Sequence, residues 1–168
     1  NSFHKFHYSP ATKLSEPLST GNSGTGTNID VVYHRIAWTV NPNDASNNLT
    51  GSITTYFKTL VASINILSFD FNKSSFNNAS LIITYHGTNC TFSFPVSGNV
   101  NIVNITLPVT IAAANTLDSL VISYSGTPPP ASGAAQGYQR NSYTDASSVT
   151  QYYTSSLSES YEDRDWWP

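Results

Sequence analysis

Residues 81–94 read LIITYHGTNCTFSF, and this stretch decides the fold class. Apolar side chains alternate at Leu81, Ile83 and Tyr85, and Gly87 separates this run from a second one at residues 88–94. Alternation with a period of two places one set of side chains on the buried face of a β-strand. Two such runs joined by a very short link predict a β-hairpin.

The same period dominates the chain from Ile29 onward. Turn-forming residues interrupt it at 41–48 and 72–78, and Pro108 is expected to stop a strand that begins at Ile102. No window has a sustained helical period. The sequence therefore predicts an antiparallel all-β domain with two sheets and little or no helix, a sandwich or a related saddle-like form. The predicted strands are 32–40, 53–57, 64–71, 81–85, 88–94, 102–107, 120–124 and, with weaker alternation, 149–157.

A length of 168 residues suits one domain. Residues 1–28 are predicted to form an irregular lead-in, because they lack the strand period and include a Gly/Ser/Thr stretch. Residues 29–168 are predicted to form the β-domain. The chain has no methionine, so we expect it to be a processed or excised piece of a longer protein.

Composition excludes several classes of function. The net charge is −3 and Lys plus Arg total 7, so no basic stripe is available for nucleic acid. No apolar run approaches the length of a membrane span. The charged fraction of 10% and the many Asn, Ser and Thr residues favour a secreted, cell-surface or periplasmic location. Cys90 has no partner for an internal disulfide and is expected to be a buried, inert thiol.

Five Asn-x-Ser/Thr triplets occur in the sequence, and several are expected by chance at this composition. They begin at Asn48, Asn72, Asn78, Asn89 and Asn104.

Residues 159–165 carry the only local concentration of charge. They contain four of the ten acidic residues and one arginine, Arg164, and they precede Trp166 and Trp167. Such a cluster can hold a cation or an ammonium group, more strongly where aromatic rings exclude water. Composition alone favours a solvated acidic turn. No His-Glu-x-x-His, paired-cysteine, Gly-x-Ser-x-Gly or phosphate-loop motif is present, so the chain is not predicted to be a complete enzyme.

Two motifs near the C-terminus nevertheless resemble a known family. Gly137-Tyr-Gln-Arg140 and Glu159-Ser-Tyr-Glu-Asp-Arg164-Asp-Trp-Trp-Pro168 resemble the end of the N-terminal domain of the membrane alanyl aminopeptidases, which are zinc-dependent. In that family a Gly-x-x-Arg element precedes a strand, and a Gln or Glu then lies five residues before an Arg. The resemblance covers residues 29–168 and is most specific over the last thirty. The acidic, tryptophan-rich version resembles secreted bacterial members.

The resemblance implies a fold, an activity and a role for two residues. The fold would be the family's β-saddle N-terminal domain, and the catalytic domain with its zinc would lie outside this chain. Glu159 matches the position that binds the free α-amino group of a peptide substrate, and Arg164 would support neighbouring carboxylates. No catalytic residue, metal ligand or cofactor is expected within the chain, which alone should have no peptidase activity. Its partners would be its own catalytic domain and, in the parent enzyme, a peptide.

Two other interpretations remain open. A carbohydrate-binding or adhesive β-sandwich module of a surface protein would use exposed Trp and Tyr side chains to stack on sugar rings. A structural spacer in a multidomain surface protein would need no site. The aminopeptidase interpretation instead predicts that the Trp166–Trp167 end packs against another domain, with an exposed aromatic patch near the C-terminus.

Overall fold

The computed structural model describes residues 25–73, 76, 80–98, 101–128 and 137–157. Within these residues the chain forms ten strands and no α-helix, so the prediction of an all-β fold is confirmed. Nothing in this described portion is a helix long and apolar enough to cross a membrane. The strands are β1 (Ile29–Val40), β2 (Leu49–Thr59), β3 (Ile64–Asp70), β4 (Ile82–Tyr85), β5 (Thr88–Asn89), β6 (Thr91–Ser93), β7 (Ile102–Ile111), β8 (Leu117–Gly126), β9 (Gly137–Thr144) and β10 (Thr150–Leu157).

The described strands form two antiparallel sheets and a separate hairpin. A five-stranded sheet has the order β1-β2-β8-β4-β5, and a three-stranded sheet has the order β3-β7-β6. Strands β9 and β10 pair only with each other. Buried side chains from both sheets form one hydrophobic cluster, so the arrangement is sandwich-like, as predicted.

Strict alternation builds the core. In β2, Leu49, Ile53 and Phe57 are fully buried, while the residues at the intervening even positions, such as Thr50 and Ser52, are partly or fully exposed. In β8, Leu120, Ile122 and Tyr124 are buried in the same way, and Leu67, Val103 and Ile105 approach from the three-stranded sheet. Because side chains at alternate positions point to one face, each strand contributes every second residue to the core.

Gly51 allows β2 and β8 to accommodate a large aromatic ring. A Cβ atom added at Gly51 would lie 2.5 Å from the hydroxyl oxygen of Tyr124, which is closer than two unbonded atoms can pack. The buried Tyr124 hydroxyl accepts a hydrogen bond of 3.1 Å from the indole N–H of Trp38 in β1. Glycine at this position therefore lets the ring of one strand lie across the backbone of the next.

The hairpin predicted at residues 81–94 forms, but its second strand is shared between the two sheets. Tyr85 pairs with Thr88 across a turn in which His86 and Gly87 both have positive φ, at 49° and 79°. This is the backbone that a two-residue hairpin turn requires. After Cys90 the chain leaves the five-stranded sheet, and Phe92 pairs with Ile105 in the three-stranded sheet.

Pro108 does not end a strand, so that expectation was wrong. Strand β7 runs on to Ile111. Ile66 of β3 pairs with Thr106 and Ile64 pairs with Ile111, so several residues of β7 face a single residue of β3. Proline is tolerated where a bulge leaves its nitrogen without a ladder partner.

Candidate functional site

Glu159 and Arg164, the predicted substrate-binding residues, lie outside the described residues. Strand β10 ends at Leu157, two positions before Glu159. Trp166 and Trp167 lie outside the described residues as well. The structure therefore shows the strand pair that leads to the predicted site.

That strand pair contains the Gly-x-x-Arg element. Strand β9 begins at Gly137, which pairs with Leu157, and Arg140 pairs with Thr154. The element thus runs beside the last residues of β10. Sequence positions about twenty residues apart are placed next to each other by the hairpin.

The turn of this hairpin is organised by one carboxylate. Asp145 accepts hydrogen bonds from the side-chain amide of Gln151 and from the backbone N–H groups of Val149 and Ser147, at 2.9 to 3.0 Å. These hydrogen bonds, with that from Gln151 the largest contribution, lower the pKa of Asp145 below its usual value. The turn also places Ser148 at a φ of 62°. An Asp that bonds to the N–H groups following it is a common way to fix a turn.

Arg140 joins the hairpin to the main sheet. Its Nε donates a hydrogen bond of 2.5 Å to the carbonyl oxygen of Pro42, in the loop between β1 and β2. Its guanidinium carbon lies 4.0 Å from the centre of the Tyr152 ring. A cation over an aromatic face and a carbonyl at Nε together fix the plane of the guanidinium. In the described residues, the arginine of the Gly-x-x-Arg element therefore anchors the hairpin.

Two further contacts hold the same junction. Tyr138 is buried in the core cluster, and its hydroxyl lies 3.5 Å from the carbonyl oxygen of Asn48. The hydroxyl of Thr127, just after β8, donates to the carbonyl oxygen of Ala45 at 3.0 Å. The β1–β2 loop is thus in contact with the segment after β8 and with β9.

A cavity of about 420 Å³ lies at this junction. Asn48 stands out among its lining residues because it is fully buried and neither its amide nitrogen nor its amide oxygen has a hydrogen-bond partner. The cavity is lined by Ala45, Asn48, Thr127, Pro128, Tyr138, Gln139, Arg140 and Asn141.

A second polar cluster lies at the β4–β5 turn. Asp118 accepts hydrogen bonds from the Tyr85 hydroxyl at 2.5 Å and from the Ser119 N–H at 2.7 Å, and its other contact is the His86 ring at 2.6 Å. Burial alone would raise the pKa of Asp118, but these hydrogen bonds and the histidine outweigh it and lower that pKa. Burial, and then the hydrogen bond to Asp118, raise the pKa of Tyr85. The cluster fixes the hairpin to β8.

Cys90 is buried, as predicted, and the structure leaves it unpaired. Burial raises the pKa of its thiol, which disfavours the reactive thiolate. Among the residues that the structure describes, no three His, Cys, Asp or Glu side chains lie close enough together to hold a metal ion.

Comparisons with known proteins identify similar folds. No protein-family model and no curated protein sequence matches this chain. The M1 zinc metallopeptidase of Deinococcus radiodurans matches with a TM-score of 0.56 and 17% identity, over 86% of this chain and 29% of that chain. A mutant of that enzyme bound to a Tyr-Ser-Ala substrate matches with a TM-score of 0.57 and 16% identity, over the same 86% and 29%. A mutant two-domain M1 zinc metallopeptidase bound to L-tryptophan matches with a TM-score of 0.56 and 16% identity, over 86% of this chain and 30% of that chain.

These matches show a shared fold. The chain spans about 29% of the length of the first of these solved proteins, so it corresponds to a part of them.

Sequence reasoning missed the junction around Arg140. Arg140 belongs to the Gly-x-x-Arg element, but its contacts with Pro42 and Tyr152 connect segments about one hundred and about ten residues away. The sequence marks Asn48 only as the start of an Asn-x-Ser/Thr triplet. Its position directly before the buried run of β2 was the one signal in the sequence that it would be buried.

Proposed function

We propose that this chain is the non-catalytic N-terminal β-saddle domain of a secreted, bacterial-type zinc aminopeptidase of the membrane alanyl aminopeptidase family. The parent protein would act outside the cell, at its surface or in the periplasm. The observation that carries the proposal is the match to solved M1 zinc metallopeptidases over 86% of the chain. The sequence motifs near the C-terminus point to the same family independently of the fold.

In this proposal the domain supplies one carboxylate to the active site. Glu159 would accept charge-assisted hydrogen bonds from the free α-ammonium group of the peptide. Holding the amino terminus at a fixed point sets which peptide bond reaches the reaction centre. The neighbouring catalytic domain would carry a zinc ion that polarises the scissile carbonyl and activates water.

The strand pair that precedes Glu159 in the chain supports this proposal. The strand that leads to it, β10, is paired along its full length with β9. Strand β9 is in turn fixed to the β1–β2 loop through Arg140 and Tyr138. A binding group at the end of a strand that is held on a rigid scaffold keeps its geometry better than one on a free loop. Arg164 would orient the carboxylates around Glu159.

The first test is the activity of the chain by itself. Without a metal-bearing domain it should not hydrolyse aminoacyl-nitroanilides, with or without added zinc. Zinc-dependent hydrolysis by the purified 168-residue chain, abolished by a chelator, would contradict the proposal. The sequence that follows Pro168 in the gene should encode a His-Glu-x-x-His motif.

The second test is substitution of Glu159 in the parent enzyme. Glu159→Ala removes the partner of a partly desolvated ammonium group. The variant should therefore bind the transition state of a free-amine substrate less tightly, by about 2 kcal/mol or more. This corresponds to a roughly 30-fold loss of kcat/KM. Glu162→Ala, which removes an acid three residues away, is the matched control and should leave kcat/KM unchanged. Equal kcat/KM for Glu159→Ala and the wild type would remove Glu159 from the site.

One observation favours carbohydrate binding as a second candidate. Tyr143 and Tyr153 lie on one face of the β9–β10 hairpin with ring centres 6.3 Å apart, and they are 57% and 46% exposed. Exposed rings on one face can stack on sugars. This alternative predicts saturable binding to a glycan array that Tyr143→Ala and Tyr153→Ala each abolish, while Tyr33→Ala on β1 has no effect.

A further inference from the structure

The cavity beside Arg140 has the dimensions and the lining of a small-molecule site. Its volume of about 420 Å³ lies within the usual range for ligand sites, roughly 300–1,000 Å³. Its described walls come from the β1–β2 loop, the residues after β8, and the first half of β9. Among its described lining residues Arg140 is charged and no acidic residue occurs, so the lining carries one positive charge.

Arg140 is oriented before any ligand arrives. Its Nε–H donates to the carbonyl oxygen of Pro42, and the Tyr152 ring lies against one face of the guanidinium. The N–H groups of both Nη atoms remain as donors in a planar fork. Among the described residues, no acidic side chain forms an ion pair with Arg140; the ion pair found there joins His86 and Asp118. A fixed guanidinium without a carboxylate partner is suited to bind one, because the geometry of the fork matches two carboxylate oxygens.

Asn48 supplies an independent reason to expect a ligand at this junction. It lines the same cavity, is 0% exposed, and both polar atoms of its amide lack partners. Buried polar groups in folded proteins are almost always hydrogen-bonded, and an exception calls for an explanation. A bound molecule that carries several oxygen atoms can pair with this amide once the cavity wall adjusts to admit it.

We propose that this cavity binds a small organic monocarboxylate. Its carboxylate would form two hydrogen bonds with the Nη atoms of Arg140, and its other polar atoms would face the amide side chains of Asn48 and Asn141. A single guanidinium balances a single negative charge. A doubly charged phosphate would leave one charge uncompensated in this lining, which favours the carboxylate. The proposal does not depend on the function proposed for Glu159.

Two matched ligand pairs test the proposal on the 168-residue chain by calorimetry and by NMR titration of backbone amides. N-acetylglycinate is compared with the neutral N-acetylglycinamide, and D-glucuronate with the neutral D-glucose. In at least one pair the carboxylate should bind about tenfold more tightly or better, since charge-assisted bidentate pairs are the stronger ones. The pair that shows the preference distinguishes an amino-acid-type carboxylate from a sugar acid. Amide shifts should be concentrated at Asn48, Thr127 and residues 139–141.

Variants of Arg140 identify the group responsible. Arg140→Gln should abolish the preference for the carboxylate, and Arg140→Lys, which keeps the charge but loses the fork, should reduce it. Arg35→Gln on β1, outside the cavity, is the matched control and should bind like the wild type. The proposal would be overturned if neither carboxylate binds, or if both carboxylates bind no more tightly than their neutral partners. It would also be overturned if Arg140→Gln keeps the wild-type preference for the carboxylate. The ligand comparison on the wild type decides the question even if Arg140→Gln does not fold.

Discussion

Strands β1 and β2 are neighbours with the same alternating pattern, but they are buried to very different extents. In β2 every second residue is buried along the full length of the strand. In β1 only Ile29 is buried, and the inward-facing Trp38 and Val40 remain 39% and 42% exposed. From Tyr33 to Val40 the two strands pair residue by residue, with Ile36 opposite Ile53, so their inward faces point in the same direction there.

The difference teaches that alternation marks a face that is suited to burial, and that a covering layer decides whether it is buried. Strand β1 is the edge of a five-stranded sheet, and the sheet packed against it has three strands. The narrower layer covers β2 and β8 and leaves the edge strand partly open. Trp38 and Val40 line a small pocket together with Tyr138 and Thr154 of the β9–β10 hairpin.

The sharpest test of this comparison uses the facing pair Ile53 and Ile36. Ile53→Ala removes a fully buried side chain and should lower the free energy of unfolding by about 2–5 kcal/mol. Ile36→Ala removes a half-buried one and should cost about 1 kcal/mol, since less apolar area is exposed to water. Urea denaturation of both variants measures the two values. Equal losses would mean that β1 is as well covered as β2.

The second test asks whether β2 is as tightly packed at Gly51 as the geometry indicates. Gly51→Ala adds a Cβ against the Tyr124 ring and should destabilise the fold by about 1–3 kcal/mol. Thr50→Ala, at the exposed neighbouring position of the same strand, is the control and should change stability little. A Gly51→Ala variant with wild-type stability would show that the ring moves aside without cost.

The smallest expected effect is the contribution of Asp118, at the start of β8, to the pH dependence of stability. The pKa of Asp118 is lowered in the folded state, so folding favours the ionised carboxylate. Its contribution to stability is present above the unfolded pKa of about 3.9 and is lost as the pH falls through the lower folded pKa. The melting temperature of the wild type should therefore fall more steeply below about pH 4 than that of Asp118→Asn. Tyr85→Phe, which removes one hydrogen bond to the carboxylate, should have an intermediate slope. Parallel curves for all three proteins would contradict this role for Asp118.

The sequence was sufficient for most of the strands because their alternation is local information. Leu81, Ile83 and Tyr85 are buried as predicted, and the turn at Gly87 forms where the short link indicated. The weakly alternating segment near the C-terminus also forms a strand, β10. The prediction that Pro108 ends its strand was wrong because a β-bulge can accommodate a proline within a strand. The position of a bulge depends on the register of two strands that are distant in sequence.

The junction around Arg140 could not have been predicted in the same way. Arg140 and Pro42 are 98 positions apart, and nothing in either segment specifies that they meet. The contact between Asn48 and Tyr138 could not have been predicted either, because the two residues are 90 positions apart. The assignment of Glu159 has a different basis, the resemblance of its motif to a family, and it remains a prediction.

The amino-acid sequence by itself determined the all-β class, the positions of most strands and which face of each strand is apolar, because a period of two is a property of neighbouring residues. Tertiary structure alone decided which of those faces is covered, where the chain passes from one sheet to the other at Cys90, and that Ala45, Asn48 and Arg140 line one cavity. Burial and long-range contacts depend on how many strands each layer contains and on how the layers pack, and no local pattern encodes those quantities.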